Sequence, residues 1–154
     1  MQNKAVFAST QSYERVVAVY NTSLIVVNPE NTGIKIPKSL PINAIWDTGA
    51  TMTTIRYNIA EFLGLKPISM STTSTANGIA KCYLYYVDLM LPNKVLVKNI
   101  LIMAVEKMSV DALIGADVIM RGDFAITNLN GKTKVTFRMP SVKEIDFVKE
   151  IKNN

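Results

Sequence analysis

The segment AIWDTGATMTTI, residues 44–55, carries one carboxylate, Asp47, in a run otherwise made of apolar and hydroxyl-bearing side chains. A carboxylate can accept or donate a proton in a reaction, provided the chain holds it in place. Gly49 permits a tight turn close to another backbone or a ligand. Thr48, Thr51, Thr53 and Thr54 supply hydroxyls that can hold a carboxylate or bridge backbones. A carboxylate fixed on a turn between apolar walls is a place where proton affinity shifts. Asp-Thr-Gly is also an ordinary turn sequence in which the aspartate caps local backbone. Both readings stand on these residues alone.

The rest of the chain offers a narrow chemistry. It contains no histidine, which removes Ser-His-Asp and Cys-His catalysis. Its one cysteine, Cys82, forms no internal disulfide and cannot build a zinc site. With no histidine to activate it, Cys82 is expected to be a half-buried strand residue. Carboxylate, lysine and tyrosine chemistry remain, and neither a metal nor a cofactor is implied. The net charge is +5 and the pI about 9.3. The basic residues are scattered, as in Lys35 and Lys38, Lys94 and Lys98, Lys132 and Lys134, or Lys143 and Lys149. No basic block or aromatic-interleaved stripe emerges, so a solvated basic surface is read in preference to a nucleic-acid site.

The elements that would position Asp47 belong to one domain. The 154 residues, 49% apolar and 19% charged, suit a globular core and not a disordered chain. No apolar run reaches the roughly 18 residues that span a bilayer. The first residues lack a sustained apolar stretch after Lys4, which argues against a signal peptide. A soluble, cytoplasmic protein without a membrane partner is expected. Most of the sequence reads as short strands divided by turn signals, with candidates at 23–27, 42–46, 82–91 (ending at Pro92-Asn93) and 94–105, the last as two segments. Asn130-Gly131 suits a hairpin turn needing positive φ at both positions. Its register sets Phe124 opposite Phe137 and Ile126 opposite Val135. Helices are expected after an Asn58 N-cap with Gly64 as the stop, at 116–122 ended by Gly122, and at 141–152. This last one has a capping box from Ser141 to Glu144 and an apolar face of Val142, Ile145, Val148 and Ile151 with Phe147 beside it. There is no internal repeat and no linker.

Four segments in order resemble the retropepsin-like aspartic protease family. Residues 44–55 resemble its active-site segment, two apolar residues and then Asp-Thr-Gly-Ala. Residues 112–119, ALIGADVI, resemble its second signature. Residues 71–87, STTSTANGIAKCYLYYV, resemble the flap that closes over substrate, and 122–140 are similar to the closing hairpin of bacterial retropepsin-like domains. The resemblance covers roughly residues 24 to 140. It implies a mainly β fold, a closed β-barrel half-lobe with a few short helices and a C-terminal amphipathic helix. The implied domains are an N-terminal extension (1–20), a protease domain (21–140) and a C-terminal helix (141–154), packed on the domain or at a dimer interface. It further implies an aspartic endopeptidase acting on polypeptides, with Asp47, Thr48 and Gly49 catalytic. Thr48 would lock two active-site loops together across a dimer. Ala50, Ala76, Asn77, Gly78 and Ile79 would bind substrate, with the flap tip at Ala76 to Gly78. Thr51, Leu113, Ile114 and Gly115 would support the loop.

This chemistry needs two carboxylates sharing one proton. The chain holds one Asp-Thr-Gly; Asp88, Asp111, Asp117, Asp123 and Asp146 lack that context. The second carboxylate is therefore expected from Asp47 of another copy, in a symmetric homodimer. Three features depart from the family. Trp46 is bulkier than the usual aliphatic and should fill core beneath the loop. Gly78 is alone at the flap tip. The tail helix replaces a terminal strand, and its own domain is the preferred packing partner. Two alternatives stand beside this reading: a catalytically silent protease-like domain that dimerises and binds peptides, and a basic nucleic-acid-binding β domain.

Overall fold

A computed structural model describes residues 6–29, 38–75 and 78–152. Alternation of buried and outward side chains, the signature of a half-buried strand, marks β2 (Asn21–Val27), where Thr22, Leu24 and Val26 are buried. It continues in β3 (Ser39–Trp46), which ends on buried Ala44 and Trp46. The long β6 (Gly78–Leu91) buries Tyr85, Val87, Leu89 and Leu91. β7 (Val95–Val105) buries Val95 and Val97, then Ile100, Ile102 and Ala104.

The change of parity in β7 has a local cause. Asn99 has φ 49, and its N–H donates to the Asp88 carboxylate at 2.7 Å. The pairing of β6 with β7 shifts between Val87 and Leu89. This bulge turns the inward face over without ending the strand. The expectation of two segments over 94–105 is corrected to one.

Two three-residue strands complete the main sheet: β4 (Thr54–Arg56) and β8 (Ala112–Ile114). The strand order is β2-β3-β8-β4-β7-β6, and β2 pairs again with β6, closing a six-stranded barrel among the described residues. β5 (Ser69–Thr75) is hydrogen-bonded to β6 alone and forms with it the hairpin expected as the flap.

A second sheet of three strands has the order β1 (Phe7–Ser12), β10 (Lys134–Met139), β9 (Asp123–Thr127). The β9–β10 register sets Phe124 opposite Phe137 and Ile126 opposite Val135, as the Asn-Gly turn requires. Asn130 and Gly131 have φ of 54 and 72. The first twenty residues contribute β1, which pairs along its whole length with β10. Trp46, 6% exposed, sits 5.1 Å from Phe124 and 5.2 Å from Phe137 between ring centroids, joining the sheet to the barrel core. It does fill core beneath the loop, at spacings that favour aromatic pairs.

The helices are short. α1 (Tyr57–Leu63) ends at Gly64 with φ 64, as expected, but its N-cap is Arg56 and not Asn58. Strand β4 runs directly into the helix, so Asn58 falls inside the first turn. α2 (Ala116–Ile119) is a single turn. α3 spans Phe147–Lys152 and not 141–152. Ser141 does not cap it: its hydroxyl donates to Asp123. Asp146 accepts the Lys149 N–H at 3.1 Å instead. No residue of α3 is buried, and Phe147, Val148 and Ile151 are exposed, so the described chain gives the helix no packing partner on its own domain. Among the described residues no helix is long and apolar enough to cross a membrane.

Candidate functional site

β3 delivers Asp47 to the end of the barrel, where its backbone N–H donates to the Ile114 carbonyl of β8 at 2.9 Å. The turn then closes on itself. The Gly49 N–H donates to Asp47 Oδ1 at 2.9 Å, and the Ala50 N–H to the Asp47 carbonyl at 3.2 Å. A Cβ on Gly49 would stand 3.3 Å from that same oxygen, so glycine leaves the carboxylate its room. Asp47 is half-buried, whereas Thr48 and Gly49 are exposed.

The segment after the turn is fastened to β8 and α2. The Ala116 N–H donates to the Ala50 carbonyl at 2.8 Å, and the Asp117 N–H to the Thr51 carbonyl at 3.2 Å. Gly115 must be small: a Cβ there would lie 2.7 Å from the Met52 carbonyl carbon and 2.9 Å from the Ala50 oxygen. Thr53, fully buried, is the pin. Its N–H lies 2.9 Å from both Asp117 oxygens, its hydroxyl donates to Asp117 Oδ1 at 2.8 Å, and its Oγ1 accepts the Gly115 N–H at 3.1 Å. Asp117 also accepts the Val118 N–H at 2.9 Å. Charge-assisted bonds of this kind are stronger than neutral ones. Sequence reading passed over Asp117 because it lacks the Thr-Gly context; the one signal for it is an acidic residue directly after Gly-Ala at the start of a short helix.

Asp47 lines a cleft of about 450 Å³ between the turn, the flap hairpin and the end of β7. Of the residues singled out from sequence, Gly49, Ala50, Thr51 and Leu113 line it with Asp47. Ile114 and Gly115 are buried behind the loop. Thr48 does not line it, nor do Gly78 and Ile79, which stand on the flap hairpin with Ile79 81% exposed. Ala76 and Asn77 lie outside the described residues. The cleft also takes in Met52 and Thr54 of the 44–55 segment and Thr73 and Ser74 of the flap segment, to which the sequence assigned no substrate contact, together with Met103, Val105, Lys107 and Met108, which sequence reading did not find because they come from a separate part of the chain. Asp47 is the one carboxylate among the lining residues.

Two other places are poorer candidates. A cleft of about 700 Å³ is lined by the single stretch from Tyr13 to Asn21. Its carboxylate, Glu14, is 85% exposed and already paired with Lys132, so it lacks a held acid. Cys82 is not half-buried but 1% exposed, and burial pushes its thiol pKa up, which withholds the nucleophilic thiolate. Among the described residues no three His, Cys, Asp or Glu side chains are grouped to hold a metal ion.

A closed barrel that presents an Asp-Thr-Gly turn against a Leu-Ile-Gly strand and a one-turn helix, with a hairpin over the cleft, is the retropepsin-like aspartic protease fold. The family described as "gag-polyprotein putative aspartyl protease" matches residues 33–121, more than half of the sequence, and the chain belongs to that family. A retropepsin-like aspartic protease from Rickettsia conorii is similar in structure, with a TM-score of 0.53 and 15% identity over 90% of this chain and 98% of that one. The retroviral protease-like domain of Ddi1 from Leishmania major gives a TM-score of 0.48 and 15% identity over 85% of this chain and 99% of that one. EIAV protease, complexed with the inhibitor HBY-793, gives 0.48 and 13% over 66% and 86%. At 15% identity the likeness to the Rickettsia conorii protease speaks for the fold alone. No curated protein matches the sequence.

Proposed function

We propose that this chain is an aspartic endopeptidase that works as a symmetric homodimer, with Asp47 of each copy forming the catalytic pair. The observation that carries the reading is Asp47 itself: held by the Gly49 N–H at the floor of a cleft, with no second carboxylate in its lining. Two carboxylates brought within a few Å cannot both ionise readily and hold one proton between them. The ionised member takes a proton from water as the water oxygen attacks the scissile carbonyl carbon. The protonated member gives its proton to the carbonyl oxygen. Collapse of the tetrahedral diol then breaks the C–N bond as a proton passes to the leaving nitrogen. The pair titrates as a unit, so neither role belongs permanently to one copy.

Two features support the two-fold arrangement. Thr48 is exposed beside Asp47, available to a facing loop. β9, which follows α2 closely, lies at one edge of its sheet, and an unpaired strand edge is a ready template for another chain. Ala50, Gly78 and Ile79, with Ala76 and Asn77 of the flap tip, are proposed to contact substrate, while Thr51, Leu113, Ile114 and Gly115 hold the loop. With one cysteine and hence no internal disulfide, the proposed setting is the cytoplasm.

The experiment compares wild type with Asp47→Asn on a mixed peptide library at mildly acidic to neutral pH, over a range of protein concentrations. Wild type is expected to cleave, with specific activity rising as dimer forms, and Asp47→Asn to be inert. Equal cleavage by both, or activity independent of concentration in a monomer, refutes the reading.

A further inference from the structure

The cleft is chemically lopsided in a way that bears on which polypeptides it takes. Three of the chain's eight methionines line it: Met52 from the Asp47 loop, Met103 from β7 and Met108 beyond β7. Methionine is unbranched and polarisable, adapts to irregular apolar shapes and makes favourable contacts with aromatic rings. A wall with this lining accommodates a large apolar side chain without demanding one shape. Lys107, exposed, is the one cation among the lining residues and forms no ion pair among the described residues. Its neighbour Glu106 does not line the cleft. The opposite charge in the cleft is Asp47, which the proposed chemistry occupies. Thr73 and Ser74 of the flap add hydroxyls and no charge. The charge of the whole chain, +5, adds a field that draws acidic polypeptides toward it.

We propose that Lys107 is a specificity-determining residue: the cleft selects polypeptides carrying a large apolar side chain next to the scissile bond and, two residues from that apolar residue on the same face of the substrate, an Asp or Glu that pairs with Lys107. The spacing follows from the substrate being extended, because alternate side chains of a strand stand on one face about 7 Å apart. The inference rests on the peptide-cleaving reading above for its substrate class. An ion pair at an exposed rim is modest, so the preference is a few-fold and is screened by salt.

The test profiles a peptide library with wild type, Lys107→Gln and Lys107→Glu, reading the ratio of kcat/KM for acidic over basic residues at that position. In parallel, fluorescence anisotropy measures binding of labelled acidic and basic peptides to Asp47→Asn, with and without Lys107→Glu. Lys107 is exposed, so neither substitution disturbs the core. Wild type is expected to favour acid by about two- to fivefold. Lys107→Gln should abolish the preference and Lys107→Glu invert it, and added salt should erode it. Cleavage without such a preference, or a preference that survives Lys107→Glu, overturns this inference and leaves the peptidase reading standing. Absent cleavage combined with binding that prefers acidic peptides through Lys107 overturns the peptidase reading and supports this one. Neither cleavage nor binding overturns both.

Discussion

Asp117→Ala should loosen the Asp47 loop from its support, and the cost can be worked from the contacts. The carboxylate accepts the Thr53 N–H at 2.9 Å, the Thr53 hydroxyl at 2.8 Å and the Val118 N–H at 2.9 Å. The Val118 N–H has a second acceptor, the Gly115 carbonyl at 3.2 Å, so it is not orphaned. Thr53 is fully buried, and Asp117 supplies the acceptor for its N–H. Leaving a buried donor unsatisfied costs about 1–3 kcal/mol, and the lost charge-assisted bond to the hydroxyl adds to it. We expect Asp117→Ala to lower the unfolding free energy by about 2–4 kcal/mol, a large share of a typical domain's stability. Asp117→Asn keeps an acceptor oxygen and should cost about half as much or less. Denaturant unfolding at fixed protein concentration measures both. A double-mutant cycle with Thr53→Val should show a coupling of about 0.5–3 kcal/mol. Catalysis should fall further than stability alone explains, since Thr53 and the Gly115 N–H tie the loop to α2. If Asp117→Ala unfolds within about 0.5 kcal/mol of wild type, the claim that this carboxylate pins the loop is wrong.

Other perturbations read other parts of the site. Gly115→Ala places a methyl against the backbone of Ala50 and Met52 at 2.7–2.9 Å; it should cost about 1–3 kcal/mol in unfolding and reduce peptide cleavage at least as sharply. The Asp123 carboxyl is held well below its ordinary value of 3.8 by the Ser141 hydroxyl, the Val142 N–H, Arg138 and the Lys143 N–H. A lowered folded-state pKa contributes stability that is full above the unfolded value and is lost as pH falls toward the folded one. Acid unfolding of Asp123→Asn should accordingly show a shallower dependence on pH below about 4 than wild type. Deleting residues 147–154 removes α3, of which nothing is buried. Thermal unfolding of dilute protein should then shift by about 0.5 kcal/mol or less, and a loss of several kcal/mol would show that α3 packs on the fold.

How far the sequence disclosed this depended on whether the determining contacts were local. Asn130-Gly131 demanded positive φ, and that demand alone set Phe124 against Phe137. Asp47 was conspicuous because its neighbours are apolar or hydroxylic, and Gly64 marked the end of α1 by its own backbone. The role of Asp117 was only faintly signalled, since its partner Thr53 stands 64 residues away. The part that Met103 and Met108 take in the cleft was hidden for the same reason, since both stand more than 50 residues from Asp47. β7 looked like two segments because the bulge at Asn99 interrupts the period of two on which strand reading relies. The tail misled in the other direction. Ser141 and Glu144 satisfy a capping pattern, but Asp123, 18 residues back, claims the Ser141 hydroxyl, and the helix starts later.

Subunit mixing tests the central claim most directly. Wild type is combined with increasing amounts of Asp47→Asn at constant total protein, the mixture is allowed to exchange, and peptide cleavage is measured. If each active site takes one Asp47 from each copy, only wild-type pairs cleave, and activity should fall as the square of the wild-type fraction. Activity falling in simple proportion to that fraction would place a complete site within one chain and contradict the account.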